Sequence, residues 1–206
     1  MLGGRDQEQK ENLLKWGERL IEGALSMTLP GRHEYLRPLT PDDAVQRSQF
    51  LMRNAQFLKP FMPSADPQSY TAERQYEILV QFASELDRNM RYPWGIFSGD
   101  SDQLIGWVNL GDVVRGAFHS AHLGYVMDAG WTRRGIMTGA VAAAVHMGFS
   151  VAHLHRIQAA IMPGNAASIG VITRNGFEFI GRAPSYLRID GTWQDHDLFA
   201  LINPQW

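Results

Sequence analysis

The sequence predicts an α/β domain with a single mixed, mostly antiparallel sheet flanked by helices. Three observations predict it. Strand-like runs at 93–98, 103–113 and 119–127 are joined by Gly-Asp-Ser-Asp and Arg115-Gly116, the turn chemistry of antiparallel hairpins. Next come a glycine-containing turn, a long apolar segment ending at Phe149 and a further strand-like run, so helices alternate with strands. Finally, 206 residues at 45% hydrophobic content suffice for one full core plus an extension.

The elements follow in order. Residues 7–24 read as an amphipathic helix, with Leu13, Gly17, Leu20, Ile21 and Ala24 on one face. Gly-Ala and Pro-Gly breaks set it apart, so residues 1–28 are expected to form an N-terminal extension and 29–206 the domain. Residues 35–39 read as the first strand. Thr40-Pro41-Asp42-Asp43 is a capping box with proline at the first helical position, opening a helix expected to reach about Arg53. A proline-punctuated loop at 59–64 precedes a second helix, marked by Tyr76, Leu79, Val80, Ala83, Leu86 and Met90. After the three strands and the apolar helix come a short strand at 156–162 and a helix opened by Pro163-Gly164-Asn165 and closed at Asn175-Gly176. Strands at 177–182 and 192–202 finish the chain.

Composition excludes several classes. There are no cysteines, hence no disulfide, thiolate nucleophile or cysteine-ligated metal, which fits a cytoplasmic protein. No apolar run approaches the ~20 residues of a membrane span, and the charged N-terminus lacks the apolar stretch of a secretory signal. A net charge of −2 gives no reason to expect direct nucleic-acid binding. The charge is uneven: residues 1–130 carry −4 and residues 131–206 carry +2, which suits an anionic small ligand in the second half.

That half contains WTRRGIMTG, residues 131–139, between the run LGYVM and the apolar helix. A turn with two arginines and a glycine at a helix start can grip a phosphate. The first-turn N–H groups are free, the helix dipole favours negative charge, and glycine allows close approach. By itself it could equally be an ordinary strand-to-helix turn.

The order of elements resembles the GNAT N-acetyltransferases, whose corresponding turn carries Gln/Arg-x-x-Gly-x-Gly/Ala. Here it reads Thr132-Arg133-Arg134-Gly135-Ile136-Met137, with the central glycine present and both ends departing from that pattern. The RGIMT form, together with VVRGAFHSAHLGYVM (113–127), HRIQAAIMPGNAAS (155–168) and GFEFIGRAPSYLRIDGTWQDHDLFAL (176–201), is similar to the RimJ/RimL branch of ribosomal-protein N-terminal acetyltransferases, nearest the RimJ type. The resemblance spans roughly residues 33–203 in element order, with strong local matches from 113 onward.

The resemblance implies acetyl-CoA as acetyl donor. Its pyrophosphate would lie on the backbone of Arg133, Arg134, Gly135, Ile136, Met137 and Thr138, and its pantetheine arm beside Met127, where the fourth strand splays from the fifth. Arg133 and Arg134 would add charge, or stand as solvated side chains. Asn165 matches the residue whose amide contacts the pantetheine, and it also suits a helix N-cap. Ser168 matches the serine that protonates the departing thiolate in RimL-like enzymes, or is a plain first-turn serine. Arg174 falls where the family places a cation near the nucleotide, and helix C-terminal carbonyls would hold it there equally well.

The usual general acid, a tyrosine four residues before Gly-Phe, is replaced by Ile172. The RimL-like catalytic glutamate aligns with Leu187. His119 and His122, expected on the strand beside the cleft and on opposite faces, are the remaining proton-relay candidates. Asp195-His196-Asp197 reads as structural, since a strand turns its middle residue away from the other two, and no metal site is expected. Trp193, Tyr186 and the Phe61-Met62-Pro63 stretch are candidates for a peptide-binding wall, or for packing. The expected acceptor is a protein or peptide N-terminus, by resemblance that of a ribosomal protein with a small first residue, used by a monomer or homodimer. The alternatives are an enzyme of the same fold acting on a polyamine, amino acid or antibiotic, and a non-enzymatic acyl-CoA-binding or ribosome-associated factor.

Overall fold

Among the described residues one eight-stranded sheet is formed. The computed structural model describes residues 26–63 and 66–206, so the expected helix at 7–24 lies outside the described residues. The strands are β1 (Met27–Thr28), β2 (Tyr35–Pro38), β3 (Tyr92–Phe97), β4 (Leu104–Val114), β5 (Ser120–Met127), β6 (Arg156–Ile161), β7 (Glu178–Ile189) and β8 (Thr192–Ile202). The helices are α1 (Ala44–Leu58), α2 (Ala72–Asp87), α3 (Ile136–Ser150) and α4 (Ala166–Arg174). Sheet order is β1-β2-β3-β4-β5-β6-β8-β7, and every neighbouring pair is antiparallel except β5–β6. The mixed, mostly antiparallel sheet is thus observed. Met27 and Thr28 pair with Leu36 and Tyr35, so the sheet takes in two residues expected to belong to the extension.

The helices cover both faces. α3 is apolar almost all round, as a helix buried in a core must be. Its Ile136, Ala140, Val141, Ala144 and Met147 pack with Trp94, Ile96, Val108, Leu110 and Ile157 of the sheet. On the other face Phe50, Leu51 and Leu58 of α1 and Leu79 of α2 pack on Phe97, Leu104 and Trp107. Alternation along β5 divides it between the two: Tyr125 and Met127 join the α3 cluster and Val126 joins the α1/α2 cluster.

Local chemistry sets the element ends. Asp43 accepts a hydrogen bond from the Thr40 N–H at 2.8 Å, as the capping box requires, but the first turn is a 3₁₀ turn at Pro41–Asp43 before α1 begins. α1 then runs to Leu58, past the expected end near Arg53. Asn54, the residue best able to compete for local backbone, instead donates back to the Phe50 carbonyl of its own helix at 3.0 Å and to Asp128, and the next breaker is Pro60. β7 extends seven residues beyond the expected strand. Pro184 cannot donate to a ladder, so the pairing bulges between Ala183 and Leu187, and Asp195 accepts the Ser185 N–H at 2.9 Å there. Among the described residues no helix is long and apolar enough to cross a membrane.

Candidate active site at the splayed strands

β5 and β6 hydrogen-bond only over Ser120–His122 and Arg156–Gln158. Among the described residues the β6 side of β5 has no strand partner from Leu123 to Met127, and the sheet opens in a V. β4 follows β5 along the splay because Gly106 permits it: a Cβ there would stand 2.6 Å from the Val126 carbonyl oxygen.

The glycine turn closes the open end. Gly135 is the N-cap of α3 at φ +74°, a left-handed conformation that glycine adopts without strain. It has no side chain to cap with, and the first intrahelical bond in that turn is Gly139 N–H to the Gly135 carbonyl. Among the described residues the N–H groups of Ile136, Met137 and Thr138 have no partner and are open to a ligand. This cradle fits a pyrophosphate: open donors, a helix N-terminus and a backbone bared by glycine. Arg133 is exposed at φ +61°. Arg134 turns back, donating to the Gly130 carbonyl at 3.0 Å with its guanidinium 4.7 Å from the Trp131 ring. A third arginine is present that sequence reasoning missed. Arg32, in the turn between β1 and β2, places Nη2 3.0 Å from where a Cβ on Gly135 would be. No local pattern connects residues 32 and 135; only the sheet does.

Beneath the turn lies a polar hub, also missed. Asp128 Oδ2 accepts from Arg53 Nε at 2.6 Å and from Asn54 Nδ2 at 2.9 Å, while Oδ1 accepts the Gly130 N–H at 2.9 Å. Asn54 Oδ1 in turn accepts the Ala129 N–H at 2.9 Å. Burial pushes the Asp128 carboxyl up, but the Asn54, Arg53 and Gly130 donors outweigh it and hold it below the usual carboxylate value. The hub ties the turn to α1. The Asp-x-Gly sequence 128–130 is a turn signal that could have pointed to half of it.

Across the V stands α4. Asn165 Oδ1 caps it by accepting the Ser168 N–H at 3.1 Å, leaving the amide Nδ2 for a ligand, so its two expected roles are compatible. Ser168 is half-buried one turn inside. Tyr125 reaches from β5 and donates its phenol to the Ser168 carbonyl at 3.0 Å. Arg174 folds onto its own helix, donating to the Gly170 carbonyl at 2.9 Å. Ile172 is fully buried in the core, and Leu187 is exposed on β7.

The expected strand position is corrected for His119, while His122 lies on β5 as expected. His119 is not on the strand: the turn around Gly116 extends through it at φ +40°, and its ring packs 4.9 Å from Trp206. His122 sits opposite Gln158, where β5 and β6 are still joined, with Nδ1 3.7 Å from Asp112. Met127 lies about 17 Å further along the strand from His122. The structure thus gathers Met127, Gly135, Asn165 and Ser168 around the V, with both histidines at its closed end. Asp195, His196 and Asp197 go to separate partners: Ser185 N–H, the Gln194 carbonyl and Arg182.

A pocket of about 200 Å³ lies between the end of α1, the loop after it and the β7–β8 turn. Leu51, Leu58, Met62, Pro63 and Tyr70 make it apolar, and Asp190 adds a carboxylate. Lys59 Nζ lies 3.7 Å from Asp190 Oδ2, and Met62 accepts the Asp190 N–H at 3.4 Å, which joins the loop to the hairpin. Of the expected wall, Met62 and Pro63 line this pocket. Trp193 is 61% exposed, Phe61 is exposed, and Tyr186 leans on the His196 ring.

Residues 35–178 match the family model for the acetyltransferase (GNAT) domain. The chain is 36% identical over 165 residues to the [ribosomal protein uS5]-alanine N-acetyltransferase of Escherichia coli (strain K12), covering 80% of this chain and 84% of that one. Its fold is similar to that of the ribosomal-protein-S5-alanine acetyltransferase from Vibrio fischeri, with a TM-score of 0.83 and 32% identity over 85% of this chain and 96% of that one. It is also similar to Mycobacterium smegmatis RimJ in complex with CoA-disulfide, with a TM-score of 0.79 and 29% identity over 84% and 83% of the two chains. A splayed mixed sheet, an anion cradle beside the splay and this similarity agree: the chain belongs to the GNAT acetyltransferase family and is an N-acetyltransferase.

Proposed function

We propose that the protein transfers the acetyl group of acetyl-CoA directly to the N-terminal α-amine of a protein, with a ribosomal protein beginning in a small residue as the acceptor. The observation that carries this reading is the V between β5 and β6, with an open pyrophosphate cradle at Gly135 on one side and Asn165 and Ser168 on the other. The cradle binds the pyrophosphate through backbone N–H groups, and Arg133 and Arg32 add positive charge. The pantetheine arm enters the V beside Met127 and meets the Asn165 amide. The named activity of the E. coli relative supports the choice of acceptor.

The proton chemistry is light. An α-amine has a pKa of about 7.7–8.0, so roughly a tenth or more is neutral at pH 7, whereas a lysine near 10.4 would need a strong base. With isoleucine and leucine at the positions of the usual acid and base, the site suits the less basic amine. The neutral amine attacks the thioester carbonyl, the C–N bond forms and the C–S bond breaks through a tetrahedral intermediate, the surplus amine proton passes to water, and CoA leaves as a thiolate to which Ser168 donates a hydrogen bond. Holding amine and thioester in contact supplies much of the rate. The apolar pocket at Met62 and Tyr70 receives the first residues of the acceptor.

Mass spectrometry of N-terminal peptides incubated with the protein and acetyl-CoA tests the reading. Alanine- or serine-starting peptides should gain one acetyl group on the α-amine. Release of CoA with polyamines and none with peptides would reassign the acceptor to a small amine. Tight acetyl-CoA binding without transfer to any amine would leave a binding protein.

A further inference from the structure

Tyr125 is not explained by the cradle, the cap or the pocket. It projects from the part of β5 that has lost its β6 partner, and its phenol crosses to the first turn of α4, which follows β6 in the chain. It is therefore a side-chain bridge across the opening itself. α4 has only nine residues, too few to be stable alone in water, so its placement depends on its ties. At its C-terminal end Asn175, mostly buried, donates to the Thr138 carbonyl at 3.2 Å, in the first turn of α3 beside the cradle. At its N-terminal end the Asn165 cap is internal to the α4 turn and fixes nothing relative to β5. Among the described residues, the Tyr125 phenol is the hydrogen bond that fixes the first turn of α4 relative to β5. A carbonyl has two lone pairs, so Ser168 can accept from the phenol without giving up its helical bond.

The geometry points to Tyr125 as a positioning residue for acetyl transfer: its phenol braces the first turn of α4 across the V and holds Asn165 and Ser168 at the separation from β5 that the pantetheine arm and thioester require. This rests on the acetyl-CoA reading above. A direct acid role is the weaker account. Burial pushes the phenol up to about 12, whereas a simple thiol lies near 8.5, so passing the proton to a thiolate would run uphill by about three units. The hydroxyl stays protonated and remains a donor throughout the neutral range, as a brace must.

Tyr125→Phe keeps the ring in the α3 cluster and removes only the hydroxyl. Calorimetric titration of wild type and variant with two ligands separates the possibilities. CoA carries both pyrophosphate and pantetheine; 3′-phospho-ADP carries the pyrophosphate and no pantetheine. The variant should bind CoA about fivefold more weakly, the worth of one net hydrogen bond, and bind 3′-phospho-ADP as wild type does. Its kcat for acetyl transfer should fall about tenfold while the KM for the acceptor peptide stays unchanged. The alkaline side of the pH–rate profile should keep its shape; a shifted profile would make Tyr125 an acid and overturn the positioning role. Unchanged CoA affinity would also overturn it, as would equal weakening of both ligands, which would signal general loosening. Failure of the wild-type protein to bind either ligand would overturn the acetyl-CoA reading and, with it, this inference.

Discussion

Two side chains at the cradle carry sharp expectations. Gly135→Glu should abolish CoA binding in a calorimetric titration. The new side chain starts 3.0 Å from the Arg32 guanidinium, requires a left-handed backbone, and sets a carboxylate against the phosphates. Arg32→Ala should weaken CoA roughly three- to tenfold at low salt, and the difference from wild type should shrink as salt rises, because an exposed guanidinium acts through a screened charge. An unchanged affinity at low salt would remove Arg32 from the site. Arg134→Ala should do less, since that side chain is already engaged with Gly130 and Trp131. The two arginines are adjacent in sequence and equivalent by composition. Arg134 is held by the Gly130 carbonyl and the Trp131 ring, whereas Arg133 is exposed at a left-handed backbone position.

At the scale of elements, the site depends on how α1 and α3 are joined. α1 lines the pocket with Leu51 and Leu58, and its Arg53 and Asn54 hold the base of the cradle through Asp128. Asp128→Ala leaves the Gly130 N–H without its acceptor, the Asn54 amide with the Phe50 carbonyl alone and the Arg53 guanidinium with the Leu104 carbonyl alone. The cost should be about 2–3 kcal/mol in urea unfolding, with weaker CoA binding because the turn is no longer held. Gly106→Ala is a second element-level test. Its methyl group would meet the Val126 carbonyl, a backbone atom, at 2.6 Å. β5 must shift where it borders the V, and stability should drop by about 1–3 kcal/mol. Wild-type unfolding and wild-type CoA affinity in that variant would show that β5 tolerates the shift.

At the scale of the whole molecule, three carboxylates among the described residues should contribute acid sensitivity. Burial pushes Asp43, Glu85 and Asp128 up, but their arginine and other hydrogen-bond donors prevail, so each lies below its ordinary value of 3.8 or 4.5. A group lowered on folding contributes stability that is complete above its unfolded pKa and is lost as pH falls through the folded one. The unfolding temperature should be level above about pH 5 and decline below about pH 4. Asp128→Asn should flatten part of that decline. The sequence by itself determined the strand and helix order from residue 35 onward, the glycine turn at 131–139, the Asn165 cap and the kinship with GNAT enzymes. Each of these is written in residues close together in the chain, through period, turn chemistry or motif. The tertiary structure alone decided the rest. It put His119 and His122 at the closed end of the V, because the exact residue where β5 begins to pair with β6 is a property of two strands about 35 residues apart. It brought Arg32 to Gly135, Asn54 to Asp128 and Tyr125 to Ser168, contacts separated by 43 residues or more. Periodicity and caps are local, whereas these contacts depend on sheet order and on the face of each strand, which only the packed molecule fixes.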